Sequence, residues 1–157
     1  MKELIHQLVR KYRTNCPFDI AKALGIHIRY CDLGSTTKGL YYHKLRRRFI
    51  VIHNGLTPEW ERFVCAHELG HDRLHKGISR FFMEEHSYFS PGKFEQQANR
   101  FAVLLLSAGN PPLADETLDH YLPRIGLPKE TALFLITKQN NSSYSMSCCL
   151  LLPLQYR

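Results

Sequence analysis

"FVCAHELGHDRLHKG", residues 63–77, places three of the chain's nine histidines within nine residues. Just upstream, Thr57-Pro58-Glu59-Trp60 supplies an N-cap residue, a proline at the first helical position and an acidic first turn. Phe63, Val64, Ala66 and Leu74 give the segment a face to bury. The spacing predicts a helix to about Lys76, with Gly77 as its C-terminal stop. On such a helix His67 and His71 stand one turn apart on one face. Two imidazoles so placed can bind one Zn²⁺ at about 2.0–2.1 Å each. Glu68, beside the first of them, can reach a water held there and take its proton. Gly70 costs an interior helix position about 1 kcal/mol relative to alanine. Its presence predicts close approach of another backbone, such as a strand edge. The plain alternative is a solvated or core-packed histidine pair.

Two histidines leave a catalytic zinc one protein ligand short. His75, Glu84, Glu85, His86 and Glu95 are the candidates downstream. His75 is about 80° round the helix from His67 and far along its axis, which suits an outer role better than ligation. Residues 84–86 fall in a mixed aromatic and polar stretch, read as loop. Glu95 opens a second strong helix, Lys93 to Leu106, on which Glu95, Ala98, Asn99 and Ala102 share a face. The small Ala98 and Ala102 permit tight packing on the histidine helix, which would carry Glu95 over His67 and His71.

Around these helices the rest of the chain takes shape. Leu4, Ile5, Leu8, Val9 and Tyr12 mark an amphipathic helix. Pro17 starts a second one, Phe18 to Leu24, that Gly25 ends. Ile26 to Tyr30, Gly39 to His43 and Arg48 to His53 read as three strands, with a hairpin-sized gap from Lys44 to Arg47. They predict a small, mostly antiparallel sheet, and so an α+β protein. Asp115 to Tyr121 and Pro128 to Thr137 are shorter helix candidates. Residues 1–139 read as one domain, and residues 140–157 as a tail with an apolar end, Cys148 to Leu154.

The 157 residues suffice for a core without staples. Five cysteines, odd in number and without a CxxC, indicate neither a disulfide framework nor a thiolate zinc site. No apolar run approaches the ~20 residues that span a bilayer, and the charged N-terminus is unlike a secretory signal. An intracellular, cytoplasmic protein with no membrane partner is expected. The formal net charge of +7 includes the run Arg46-Arg47-Arg48. That run is read as a solvated strand end. Direct nucleic-acid binding is not expected, because no complete recognition motif accompanies it.

At "HELGHDRLH" followed by "EQQANRFAVLLL" the chain resembles the ImmA/IrrE metallopeptidases of phages, integrative elements and bacterial stress regulators. "CPFDIAKALGI" and "KGLYYHKLRRRFIVIHNGL" extend the likeness over most of residues 15–106. Beyond about residue 110 the match is weak. Ser107-Ala108-Gly109 stands where the family usually continues into Met-Pro. The resemblance implies a zincin-like helical core under the sheet. It implies His67, His71 and Glu95 as ligands of one Zn²⁺, and Glu68 as general base. It also implies intracellular cleavage of a protein substrate, commonly a DNA-binding helix-turn-helix repressor encoded nearby. Asn99 is a candidate to orient an imidazole, and His75, His86 and Tyr88 are candidates for outer contacts or oxyanion donors. Two rival classes are a regulatory module that recruits a transcription factor without cutting, and a nucleic-acid binder acting through Arg46–Arg48.

Overall fold

The computed structural model describes residues 1–75 and 91–135. Glu84, Glu85, His86, Tyr88, the Gly77 stop and the tail at 140–157 lie outside the described residues. The apolar stripe of the N-terminus forms α1, Lys2–Tyr12, which buries Ile5, Leu8 and Val9. Pro17 opens α2, Pro17–Ala23. Gly25 ends it at φ +70, a left-handed conformation that glycine adopts without a Cβ clash. Between the two helices Asn15 donates its amide to the carbonyls of Leu106 (3.2 Å) and Ala108 (2.8 Å). Asn15 thus satisfies acceptors at the end of a distant helix.

Three strands follow: β1, Ile26–Cys31; β2, Gly39–Lys44; and β3, Arg47–His53. Their spatial order is β1-β3-β2. β2 pairs antiparallel with β3, but β1 pairs parallel with it. The sheet is therefore mixed rather than mostly antiparallel. Alternation reveals which face of a strand is buried and says nothing about its direction, so the parallel ladder left no mark in the sequence. Ile50 and Ile52 point into the core. On the opposite face Phe49 lies between His27 and Tyr42, with ring centroids 5.2 and 4.9 Å away.

The hairpin between β2 and β3 has a two-residue loop. Leu45 and Arg46 have φ 49 and φ 62. Positive φ at both positions is the geometry of a type I′ turn, which favours Asn-Gly. Here it is filled by two residues that strain to adopt it.

Three further helices follow: α3, Pro58–Leu74, which packs on β2 and β3; α4, Pro91–Ser107, which packs on α3; and α5, Leu118–Arg124. A 3₁₀ helix, Lys129–Phe134, follows. The short helix expected from Asp115 begins later, because Asp115 turns at φ 59 and Thr117 is the N-cap. The segment after Pro128 winds as 3₁₀, with Thr131 bonding the Pro128 carbonyl through both its N–H (3.0 Å) and its hydroxyl (2.6 Å). Among the described residues no helix is long and apolar enough to cross a membrane.

A buried carboxylate ties sheet to helix. Asp72 of α3 has a side chain only 2% exposed. It accepts hydrogen bonds from the Tyr41 hydroxyl (2.8 Å), Arg48 Nη1 (3.2 Å) and Arg73 Nε (2.6 Å). Arg48 also donates to the Leu24 carbonyl at the end of α2. The run Arg46-Arg47-Arg48 is thus divided. Arg46 sits in the turn and Arg47 is exposed, but Arg48 reaches inward and serves as a counter-charge. A solvated strand end describes only part of it.

Two outcomes test this account. Replacing Leu45-Arg46 by Asn-Gly should stabilise the fold by about 1–2 kcal/mol, read as a higher urea midpoint. An unchanged midpoint contradicts the strain. Arg48→Met should destabilise by about 2 kcal/mol or more, because the buried Asp72 loses a charged partner. A loss below about 0.5 kcal/mol in the same titration contradicts the counter-charge role.

Candidate metal centre

His67 and His71 lie one turn apart on α3, with ring centroids 4.8 Å and Nε2 atoms 3.1 Å apart. Gly70 lies against α4. A Cβ built on it would stand 3.3 Å from the Ala98 Cα and 3.1 Å from the Phe101 ring. The close backbone approach read from Gly70 therefore comes from a helix and not from a strand edge. Glu95 stands one turn before Ala98. Its carboxylate oxygens lie 3.2 Å from His67 Nε2 and 3.4 Å from His71 Nε2.

Two imidazole nitrogens and a carboxylate this close together need a shared cation or proton between them. Their spacing fits a metal. Bonds of about 2.0–2.1 Å in tetrahedral geometry put neighbouring donors ~3.3 Å apart; here the two Nε2 atoms are 3.1 Å apart, and each has a different oxygen of Glu95 close by, Oε2 at 3.2 Å from His67 and Oε1 at 3.4 Å from His71. His67, His71 and Glu95 form a group able to hold one ion. All three side chains also line an open cleft.

The electrostatics agree with this crowding. Hydrogen bonds from His67 and then His71 hold the Glu95 carboxyl well below the usual carboxylate range, against the opposing effect of burial. Burial disfavours the charged form of His67. The hydrogen bond to Glu95 and the charges of Glu68 and Glu95 outweigh it, and its pKa is raised.

Each imidazole is also held from behind. His67 Nδ1 lies 2.8 Å from Asn99 Oδ1, one turn after Glu95 on α4. His71 Nδ1 lies 3.1 Å from His75 Nδ1, and His75 Nε2 lies 2.9 Å from Gln97 Oε1. The His75 ring meets Phe94 edge-on at 4.8 Å and is buried. His75 therefore touches a histidine of the triad without joining it. Gln97 was missed in the sequence because it lies ~200° round the helix from Glu95, off the face that the small residues mark.

Glu68 is buried, 7% exposed, and lies beside β2. A Cβ on Gly39 would fall 2.3 Å from Val64 Cγ1 and 2.9 Å from Glu68 Oε1. Only glycine lets the strand pass this closely over α3. Together they border a cleft of about 450 Å³. Thr36 to Tyr41 line it. So do Trp60, Phe63 and Phe134, with Lys38 Nζ over the Trp60 ring at 4.3 Å and Phe63 stacked on Phe134 at 5.9 Å. His67, Glu68, His71, Glu95 and Asn99 line it as well. β2 is an edge strand of the sheet. The Lys38 carbonyl accepts from His53 N (2.9 Å). By alternation, the backbone groups of Gly39 and Tyr41 face away from β3. Cys65, next to this helix face, is fully buried. Burial pushes its thiol pKa up, so it offers no thiolate.

Residues 21–126 match the family model of the IrrE N-terminal-like domain, a peptidase family. The chain is 35% identical over 136 residues to "Uncharacterized immunity region protein 2" of Bacillus phage phi105, covering 84% of this chain and 86% of that one. It is 33% identical over 131 residues to "Metallopeptidase ImmA" of Bacillus subtilis (strain 168), covering 83% of this chain and 73% of that one. With a histidine-carboxylate group able to hold a metal on its longest helices, and these relatives along most of its length, the chain belongs to the ImmA/IrrE family of metallopeptidases.

Proposed function

We propose that this protein is a cytoplasmic, zinc-dependent endopeptidase that cleaves a regulatory protein, a helix-turn-helix repressor of a phage or mobile element. One observation carries the reading: three donors, His67, His71 and Glu95, stand close enough together to hold one ion, with the Glu68 carboxylate beside them in an open cleft. The names of the relatives, an immunity-region protein and a metallopeptidase, support a role in phage immunity and its regulation.

His67, His71 and Glu95 would hold the zinc, with Asn99 and His75 orienting the two imidazoles. Bound there, zinc supplies Lewis acidity and brings the pKa of a water toward neutrality. Glu68 accepts the proton of the attacking water at a carboxylate oxygen and returns it to the leaving amide nitrogen. Its burial against Gly39 keeps that carboxylate from turning away. Among the described residues β2 is an edge strand, and its outward backbone groups would offer hydrogen bonds to an extended peptide laid along the cleft. A substrate would therefore present a linker or an unwound segment rather than an intact helix.

The second reading is a module that recruits a transcription factor without cutting it. A purely structural zinc closes all four positions and has no use for a carboxylate at Glu68. A set of three donors and the position of Glu68 favour catalysis. The nucleic-acid reading is weakened because Arg48 is engaged with Asp72.

Coexpression with the repressor encoded alongside tests the proposal. Wild type should cleave it, and Glu68→Gln should lower the rate by about 10²–10⁴-fold with zinc content unchanged. Cleavage that survives Glu68→Gln sinks the mechanism. Repressor binding without cleavage by the wild type supports the recruiting module instead. Metal analysis of the purified protein should give one zinc per chain. His67→Ala or a chelator should remove the zinc and the activity together, and full activity in the chelated protein would overturn the metal requirement.

A further inference from the structure

His71 has two ring nitrogens, and only one arrangement of its proton suits a metal ligand. Nε2 faces His67 and Glu95, 3.1 and 3.4 Å away. To bind a metal it must present a lone pair there. A neutral imidazole carries a single N–H, so the proton must sit on Nδ1. Nδ1 faces not a carboxylate or a carbonyl but the Nδ1 of a second histidine, His75, at 3.1 Å. That partner can donate or accept, so by itself it fixes nothing. The choice passes one step further, to the group facing His75 Nε2. That group is Gln97 Oε1, at 2.9 Å.

We propose that Gln97, acting through His75, fixes the tautomer of His71 and so keeps its Nε2 lone pair turned toward the metal position. The proposal rests on the metal-site reading above. The chain of bonds has one polarity. The Gln97 carbonyl oxygen accepts from His75 Nε2–H. His75 Nδ1 is then bare and accepts from His71 Nδ1–H. His71 Nε2 is left without a proton. The reverse chain starts from the Gln97 amide nitrogen as donor and ends with a proton on His71 Nε2, where the ion belongs. His67 has a simpler arrangement, because Asn99 Oδ1 meets its Nδ1 directly at 2.8 Å. The two ligands are thus set by carboxamides on one helix, one in direct contact and one through an intervening ring. The edge-on contact with Phe94 holds that ring in place. His75 and Gln97 are positioning residues, since neither touches the metal position.

Zinc affinity by chelator competition and ring-nitrogen NMR test the relay on the full chain at pH 8.5. In metal-free wild type, the ¹⁵N shifts should show His75 protonated at Nε2 and His71 at Nδ1. Gln97→Met keeps the length and removes the acceptor. It should weaken zinc binding about tenfold and leave His75 a mixture of tautomers. Gln97→Glu restores an acceptor and should bind zinc close to wild type. His75→Phe keeps the contact with Phe94 and should lose about 10–100-fold. The relay is overturned if wild-type His75 carries its proton on Nδ1. It is also overturned if Gln97→Met, folded by circular dichroism, binds zinc as wild type does, or if Gln97→Glu falls as far as Gln97→Met. A wild-type chain that takes up no zinc sinks the metal reading instead. The ring-nitrogen pattern of the metal-free protein then still decides the polarity of the chain.

Discussion

The distance between α3 and α4 governs the rest of this structure. Gly70 meets the Ala98 backbone directly, and a methyl group on Gly70 would already stand at the limit of contact. Because the two helices touch here, Glu95 can reach His67 and His71 with a short side chain, and Asn99 and Gln97 can reach the backs of the rings. A wider separation would leave two histidines on one helix and a carboxylate on another. The glycine costs helix stability, and the contact it permits gathers donors from distant parts of the chain.

Much of this could be read from the sequence because it follows from period and side-chain size. Apolar residues three and four apart mark α1, α3 and α4, and alternation marks the strands. Glu95 was singled out because Ala98 and Ala102 advertise a close-packed face. What the sequence hid depends on direction and distance. Strand direction has no compositional trace, so the parallel pairing of β1 with β3 was not visible. Gly70 signalled a close approach without saying what approached, and the strand passage belongs to Gly39. Asp72 gave little warning, since its partners Tyr41 and Arg48 come from two different strands. Gln97 sits on a flank that no periodicity picks out.

The site rests on two supports of different kinds. On the α4 side, carboxamides and a histidine set the rings by hydrogen bonds whose donors and acceptors must agree. On the sheet side, Asp72 locks the turn of α3 beside His71 to β2 and β3 through Tyr41 and Arg48. Burial, then the bond to Asp72, pushes the Tyr41 phenol pKa well up, so the phenol stays a neutral donor to Asp72 across the ordinary pH range. The strand that borders the cleft and the helix that carries the histidines therefore move as one body, which suits chemistry that depends on fixed positions.

A strand at the edge of a sheet, as β2 is among the described residues, is also a place where identical molecules stick together. β2 has lysines near both ends, Lys38 just before it and Lys44 at its close. Suppose two copies joined antiparallel through this edge, centred on Tyr41. Lys38 of each would then face Lys44 of the other, and His43 would add to the crowding of basic groups. Like charges opposed across a strand pair repel. The lysines at the two ends of β2 thus act against this pairing of the strand with its own copy.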